Sequence, residues 1–138
     1  MKRIFKNQYN FLKKLDKNYS TKPNVTIFGN GFVSKNLVGK LSEHCNQVKV
    51  ACRYPREVTT EFGKKVNFLI LENVKGEYSD ITNQESVYYA IKGSDVVINT
   101  TNITYESEYN FRDVFVEGTK NISFSSKNLG VKQLIQFR

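Results

Sequence analysis

Residues Val25 to Leu41 read VTIFGNGFVSKNLVGKL, an apolar run broken by two glycines one residue apart and continued by an amphipathic segment. Few folds satisfy such a stretch. Val25-Thr26-Ile27-Phe28 is short, β-branched and apolar, as a strand covered on both faces must be. Gly29 permits a tight turn that a side chain would resist, and Gly31 lets the backbone come close to an anion. Val33, Leu37, Val38 and Leu41 then recur at helical spacing. A helix starting at this turn points its unpaired N–H groups and the positive end of its dipole at that anion. Ser34 stands where a third glycine is usual, and is small enough for close helix–strand packing. The turn Gly29-Asn30-Gly31-Phe32-Val33 is therefore a candidate cradle for the pyrophosphate of a dinucleotide, the alternative being a glycine turn with no ligand.

The rest of the chain repeats the strand–helix alternation. Val48 to Cys52 is predicted as a second strand, Val66 to Leu71 as a third, Asp95 to Asn99 as a fourth and Val131 to Phe137 as the start of a fifth. Thr82-Asn83-Gln84-Glu85 has the spacing of a capping box ahead of one helix. A long helix is expected from about Asn110, with Phe111, Val114, Gly118, Ile122, Ser125 and Leu129 on one face and Gly130 closing it. This order predicts an α/β, Rossmann-like open parallel sheet of about five strands with crossover helices, lacking the C-terminal part of a full dinucleotide-binding domain. Ligands of such sheets lie at the carboxyl ends of the strands. The second strand ends in Cys52-Arg53-Tyr54-Pro55-Arg56, without the acid that would accept hydrogen bonds from the 2′-hydroxyl of NAD. Arg53 would instead pair with the 2′-phosphate of NADP, unless it and Arg56 are merely solvated loop cations. Asp80 falls near an adenine edge or caps its own turn, and the groups after the fourth strand, at Asn99 and Thr100, fall beside the nicotinamide ribose.

Charge divides the chain unevenly. Of the net +8, residues 1–22 carry 7 Lys/Arg against 1 Asp, leaving 14 against 12 for residues 23–138. The globular part thus lacks the clustered basicity of a nucleic-acid interface. Wound as a helix, the first segment places Ile4, Phe5, Tyr9, Phe11, Leu12, Leu15 and Tyr19 on one side and Lys2, Arg3, Lys6, Lys13, Lys14 and Lys17 on the other. Such a helix suits targeting, an anionic membrane surface or a docking partner, or else packs on its own domain. An uncleaved targeting signal that doubles as a docking helix is the most economical reading. The expected domains are accordingly this helix over 1–22 and the nucleotide-binding unit over 23–138. No apolar run approaches the ~20 residues of a spanning helix. Cys45 and Cys52 have no metal-ligand spacing, and no metal site is expected.

Asp113-Val114-Phe115-Val116-Glu117-Gly118-Thr119-Lys120-Asn121, followed by Leu129-Gly130-Val131-Lys132-Gln133-Leu134-Ile135, resembles the N-V-x-G-T-x-N helix and following strand of the short-chain dehydrogenase/reductase superfamily, in its extended and atypical branches. The resemblance covers about residues 24–138. Cys52-Arg53-Tyr54-Pro55, Asp95-Val96-Val97-Ile98-Asn99 and Asp113-Val114-Phe115-Val116 are most similar to the dehydrogenase-like accessory subunits of mitochondrial respiratory complex I. That resemblance implies NADP(H) held structurally, or a site that has lost it. Gly29, Asn30, Gly31, Phe32 and Val33 would contact the cofactor, Arg53 its 2′-phosphate, Asp80 the adenine side, and Asn99 and Thr100 the ribose side. It also implies other complex I subunits as partners, on the matrix side of the mitochondrial inner membrane.

Members of the superfamily use a tyrosine as acid/base with a lysine four residues on. Tyr88-Tyr89-Ala90-Ile91-Lys92 spells that motif, but ahead of the fourth strand instead of after the fifth. Val87, Ala90 and Ile91 make the core stripe there, which leaves Tyr88 and Lys92 at the surface. The chain is accordingly expected not to be an enzyme by itself, with no catalytic residue. The alternative is a free NADP(H)-binding redox sensor, or half of a split reductase. In either case a partner is expected over the open edge of the fifth strand.

Overall fold

A computed structural model of the protein describes residues 21–56, 58 and 72–137. The predicted N-terminal helix lies outside these residues, apart from its last two positions, and the strand predicted at Val66–Leu71 lies wholly outside them. Five parallel strands form one sheet: β1 (Asn24–Phe28), β2 (Gln47–Cys52), β3 (Val74–Tyr78), β4 (Val96–Asn99) and β5 (Gln133–Gln136), in the order β3-β2-β1-β4-β5. The register runs Val25 against Val48 and Val96, and Ile27 against Val50 and Ile98. The chain leaves the middle strand, builds outward on one side through β2 and β3, then crosses over to build the other through β4 and β5. That reversal opens a crevice at the carboxyl end of β1, between β2 and β4.

Strand alternation divides the core between two helical layers. Val25 and Ile27 point to one face, where α1 (Phe32–His44) supplies Leu37, Val38 and Leu41, with Val48, Val50, Val96 and Ile98 beside them. Phe28 and Val97 point to the other, against Val87, Ala90 and Ile91 of α2 (Gln84–Ile91) and Ile122 of α3 (Thr119–Asn128). Each of the Val, Leu, Ile and Phe side chains among these, fully buried, contributes roughly 1.5–3 kcal/mol of transfer free energy. Thr26 faces the second layer as well, and its hydroxyl is satisfied there by the Ala90 carbonyl at 3.1 Å and by the Ser94 hydroxyl.

Three local expectations are corrected. The strand beside β2 is Val74–Tyr78, pairing Val48 with Val74 and Cys52 with Tyr78. Its VKGEY sequence, with lysine and glutamate, is that of a charged edge strand and reads as a loop. Gly76 in it is obligatory on steric grounds, since a Cβ there would lie 2.3 Å from the Pro55 carbonyl oxygen. The cap of α2 is Asn83, whose side chain accepts from the Ser86 N–H at 3.0 Å, so the predicted box is displaced by one residue. Thr82 instead donates to Asp80 from both its N–H and its hydroxyl. Finally, a π-helical turn over Asp113–Gly118 precedes α3. Val114, Gly118, Ile122 and Ser125 are buried as the helical spacing predicted, but Phe111 is exposed and stacks on Phe115. Gly118 admits Ile81 where a Cβ would be 2.7 Å from that side chain.

Candidate functional site

The glycine turn is fixed from both sides by backbone hydrogen bonds. Gly29 N–H donates to Ala51 O at 3.0 Å, and Thr100 donates to Phe28 O through its N–H at 2.9 Å and its hydroxyl at 2.7 Å. Gly29 has a φ of +105°, and a Cβ on it would lie 2.7 Å from Thr100 Oγ1 and 3.2 Å from Thr101 N. Only glycine fits there without strain. Gly31 differs: its φ is −83°, and no atom lies within 4 Å of where its Cβ would be. Nothing among the described residues requires that glycine. The space it leaves is at the start of α1, whose Gly31 cap makes no side-chain hydrogen bond and whose first turn holds no acid. The first-turn N–H groups of a helix lack intrahelical acceptors, so this end offers an anion unoccupied donors and no opposing charge. The Ser34 hydroxyl, buried just behind, has no hydrogen-bond partner among the described residues. These features suit a pyrophosphate.

A cavity of about 450 Å³ opens above this turn, and the predicted residues Gly29, Asn30, Gly31, Phe32, Val33, Arg53, Asp80 and Thr100 all line it. Four segments far apart in sequence thus meet at the carboxyl ends of β1, β2, β3 and β4. Asn99 is placed otherwise. It is buried at the end of β4, donates to Gln136 Oε1 at 2.9 Å and accepts from Thr101 N at 3.0 Å, so its amide ties β4 to β5 and shapes the following turn. A second cavity of about 590 Å³ lies alongside, sharing Val33, Thr100, Thr101 and Asn102 and adding Phe115, Thr119, Gln136 and Phe137.

The far rim of the first cavity is a chain of polar contacts. Asp80 Oδ1 accepts from Thr82 N at 2.9 Å and Thr82 Oγ1 at 2.7 Å, while Oδ2 accepts from the Tyr109 hydroxyl. The Arg53 guanidinium lies over the Tyr109 ring, 4.9 Å from its centroid, and donates through Nη1 to the Glu108 carboxylate. Burial pushes the Asp80 carboxyl up, but the hydrogen bonds from Tyr109 and Thr82, with Arg53 nearby, outweigh it and hold the group below the usual carboxylate range. The Tyr109 phenol is correspondingly pushed up by its bond to Asp80. Burial alone would lower Arg53, yet its bonds to Glu108 and Tyr109 raise it. Glu108 and Tyr109 were missed by motif reading. The one signal available was their position in the segment after β4, at the edge where open sheets bind ligands.

Tyr88 and Lys92, which spell the tyrosine–lysine motif, border neither cavity. Lys92 belongs to the turn after α2, where its carbonyl accepts from the Lys49 ammonium at 2.9 Å. Among the described residues there is no cluster of His, Cys, Asp and Glu able to hold a metal, and no helix long and apolar enough to cross a membrane.

The model of the 3-beta hydroxysteroid dehydrogenase/isomerase family matches residues 25–137. The chain belongs to that family. A protein named 3-beta-hydroxysteroid dehydrogenase from Mycolicibacterium neoaurum is 32% identical over 116 residues, covering 78% of this chain and 29% of the relative. Among solved structures, Pen from Bacillus thuringiensis superposes with a TM-score of 0.70 at 20% identity, over 84% of this chain and 38% of that one. A uronate dehydrogenase variant from Agrobacterium tumefaciens, complexed with NAD, gives 0.61 at 12% identity, over 84% and 40%. At such identities the structures show the fold alone, the Rossmann fold predicted from the sequence. The chain spans less than a third of the curated relative's length and about two fifths of these structures.

Membership in the 3-beta hydroxysteroid dehydrogenase/isomerase family bears out the short-chain dehydrogenase superfamily read from the Asp113–Asn121 segment. It also overturns the expectation that the chain is no enzyme. That expectation rested on a missing motif, whereas the matching family and relative are dehydrogenases by name. A motif absent from a stretch covering 29% of the relative carries no weight against them.

Proposed function

We propose that this chain forms the dinucleotide-binding part of an NAD(P)-dependent dehydrogenase, taking NADP(H) through Arg53 and acting on a hydroxysteroid-like secondary alcohol or its ketone. The observation that carries this reading is the convergence of the Gly29–Val33 turn, Arg53, Asp80 and Thr100 on one cavity, in a chain of a dehydrogenase family. Gly31 and the first turn of α1 would hold the pyrophosphate, Arg53 a 2′-phosphate, and Thr100 the side toward the second cavity. A bound dinucleotide supplies the hydride acceptor or donor. The protein's own residues bind it, orient it and wall it off: Gly29 and Thr100 fix the turn, while Val33, Phe115 and Phe137 give the second cavity apolar walls suited to an apolar substrate.

Isothermal titration calorimetry of the chain with NADPH and NADH tests the reading. Saturable one-to-one binding of at least one dinucleotide is expected, and absence of heat with both refutes it. The finer assignment, to complex I on the matrix side of the mitochondrial inner membrane, is supported only by the resemblance of the Cys52–Pro55, Asp95–Asn99 and Asp113–Val116 segments. Co-migration of the chain with NADH dehydrogenase activity on a native gel is its test, and recovery only in a small soluble fraction refutes it.

A further inference from the structure

The acid missing from the tip of β2 is present in space, contributed by a different element. Where β2 ends, the sequence supplies Arg53 and no carboxylate. The segment after β4 returns a carboxylate to the same place: Glu108 accepts from Arg53 Nη1, and its neighbour Tyr109 lies against the guanidinium while anchored to Asp80. Tyr109, Arg53 and Asp80 all line the cavity. We propose that Glu108 is the residue that sets the choice between the two dinucleotides, weakening the preference for NADP(H) that Arg53 gives and admitting the free 2′-hydroxyl of NAD(H). This rests on the nucleotide-binding reading above and deepens it.

The two ligands place opposite demands on one carboxylate. A 2′-phosphate needs the Arg53 fork for itself, because guanidinium and phosphate pair through parallel charge-assisted hydrogen bonds. It would therefore compete with Glu108 for the guanidinium, and the carboxylate beside it would repel it. A 2′-hydroxyl makes no such demand. It is a hydrogen-bond donor, which a carboxylate held by Arg53 can accept, the role an acid at the strand tip plays in NAD-binding members of this fold. The pair is also readily opened, since the Arg53 and Glu108 side chains are 41% and 72% exposed and an exposed ion pair is weak. Arg53 is thus available to a phosphate, at a reduced affinity. Asp80 and Tyr109 act one step back, as positioning residues that hold the segment bearing Glu108 against the rim.

The test is calorimetric titration of NADP+ and NAD+ into the full chain and into its Glu108→Gln variant, with Arg53→Ala alongside. Glu108→Gln keeps size and exposure, and urea unfolding confirms that the fold is unchanged. The expected result is tighter NADP+ binding by about twofold to fivefold, the upper part of the range for releasing an exposed ion pair, with NAD+ binding unchanged or weaker. Arg53→Ala should shift the ratio the other way. Binding of both dinucleotides with an unchanged ratio in Glu108→Gln overturns this inference and leaves the nucleotide reading intact. Failure of every protein to bind either dinucleotide overturns both.

Discussion

The two walls of the nucleotide cavity are built by different means. On one side the glycine turn is almost wholly backbone: Gly29 at φ +105°, the Gly29 bond to Ala51, and the Thr100 bonds to Phe28. On the other, the lining residues Asp80, Tyr109 and Arg53, with Glu108 beside them, are joined side chain to side chain across segments up to 55 residues apart. The backbone wall is rigid because its hydrogen bonds belong to the sheet and its sterics forbid alternatives. The side-chain wall is adjustable because its members are partly exposed and its ion pair is screened. The difference suggests a division of labour: the turn fixes where a pyrophosphate sits, and the rim decides what is attached to the ribose.

The sharpest way to break this comparison is at Gly29. Gly29→Val should lower stability by on the order of 2–3 kcal/mol, combining positive-φ strain with a collision against Thr100. The loss should appear as a lower urea midpoint with an unchanged slope, and dinucleotide binding should fall with it. A variant as stable as the parent would mean the turn is not the rigid wall described here.

Gly31 separates fold from binding within the same wall. Gly31→Val meets no protein atom within 4 Å of its Cβ, at a φ of −83° that valine adopts. Stability should fall by no more than about 1 kcal/mol, the cost of a poorer N-cap and not of a steric clash. Binding of both dinucleotides should weaken by at least about tenfold, or ~1.4 kcal/mol, because the new methyls occupy the space for the pyrophosphate. On the other wall, Arg53→Ala should cost NADP+ a similar factor and NAD+ little, since only one of them carries the 2′-phosphate. Equal losses for the two dinucleotides in Arg53→Ala would erase the proposed division between the walls.

How far each wall was legible in the sequence follows from how it is made. Gly29 and Gly31 are spaced by a local rule, and β1, β2, β4 and α1 announce themselves through apolar runs and helical spacing, so the parallel sheet and the backbone wall followed from local pattern. Arg53 and Asp80 were reachable because they sit at strand ends. Glu108 and Tyr109 carry no local signature, since what places them is the closure of a segment over a sheet edge, a tertiary event. The same cause hid β3, whose Lys75 and Glu77 suit an edge strand and imitate a loop. Asn99 shows the converse: correctly read as lying at a strand's carboxyl end, it is drawn into structural work by Gln136, a residue of the next strand.

The smallest effect expected is at the hinge of the adjustable wall. Tyr109→Phe removes one hydrogen bond to Asp80 and should cost roughly 0.5–1 kcal/mol at neutral pH, toward the low end because the site is partly exposed. The pH dependence identifies the cause. Asp80 has a folded-state pKa depressed below its ordinary 3.8. Its contribution to stability is therefore fully present above that ordinary value and is lost as pH falls through the folded one. Without Tyr109 the folded pKa moves back up toward the unfolded value, so the acid-side loss of stability should begin at the same pH but be smaller and be complete at higher pH. Below the folded pKa of the parent, where Asp80 is protonated in both proteins, the difference between them should shrink. Urea melts of the two proteins from pH 7 down to about pH 2.5 read this directly, a span set by the titration range of aspartate. A constant offset at every pH would mean that Tyr109 supports the rim by packing alone, and that the Asp80 carboxylate does not hold the segment carrying Glu108.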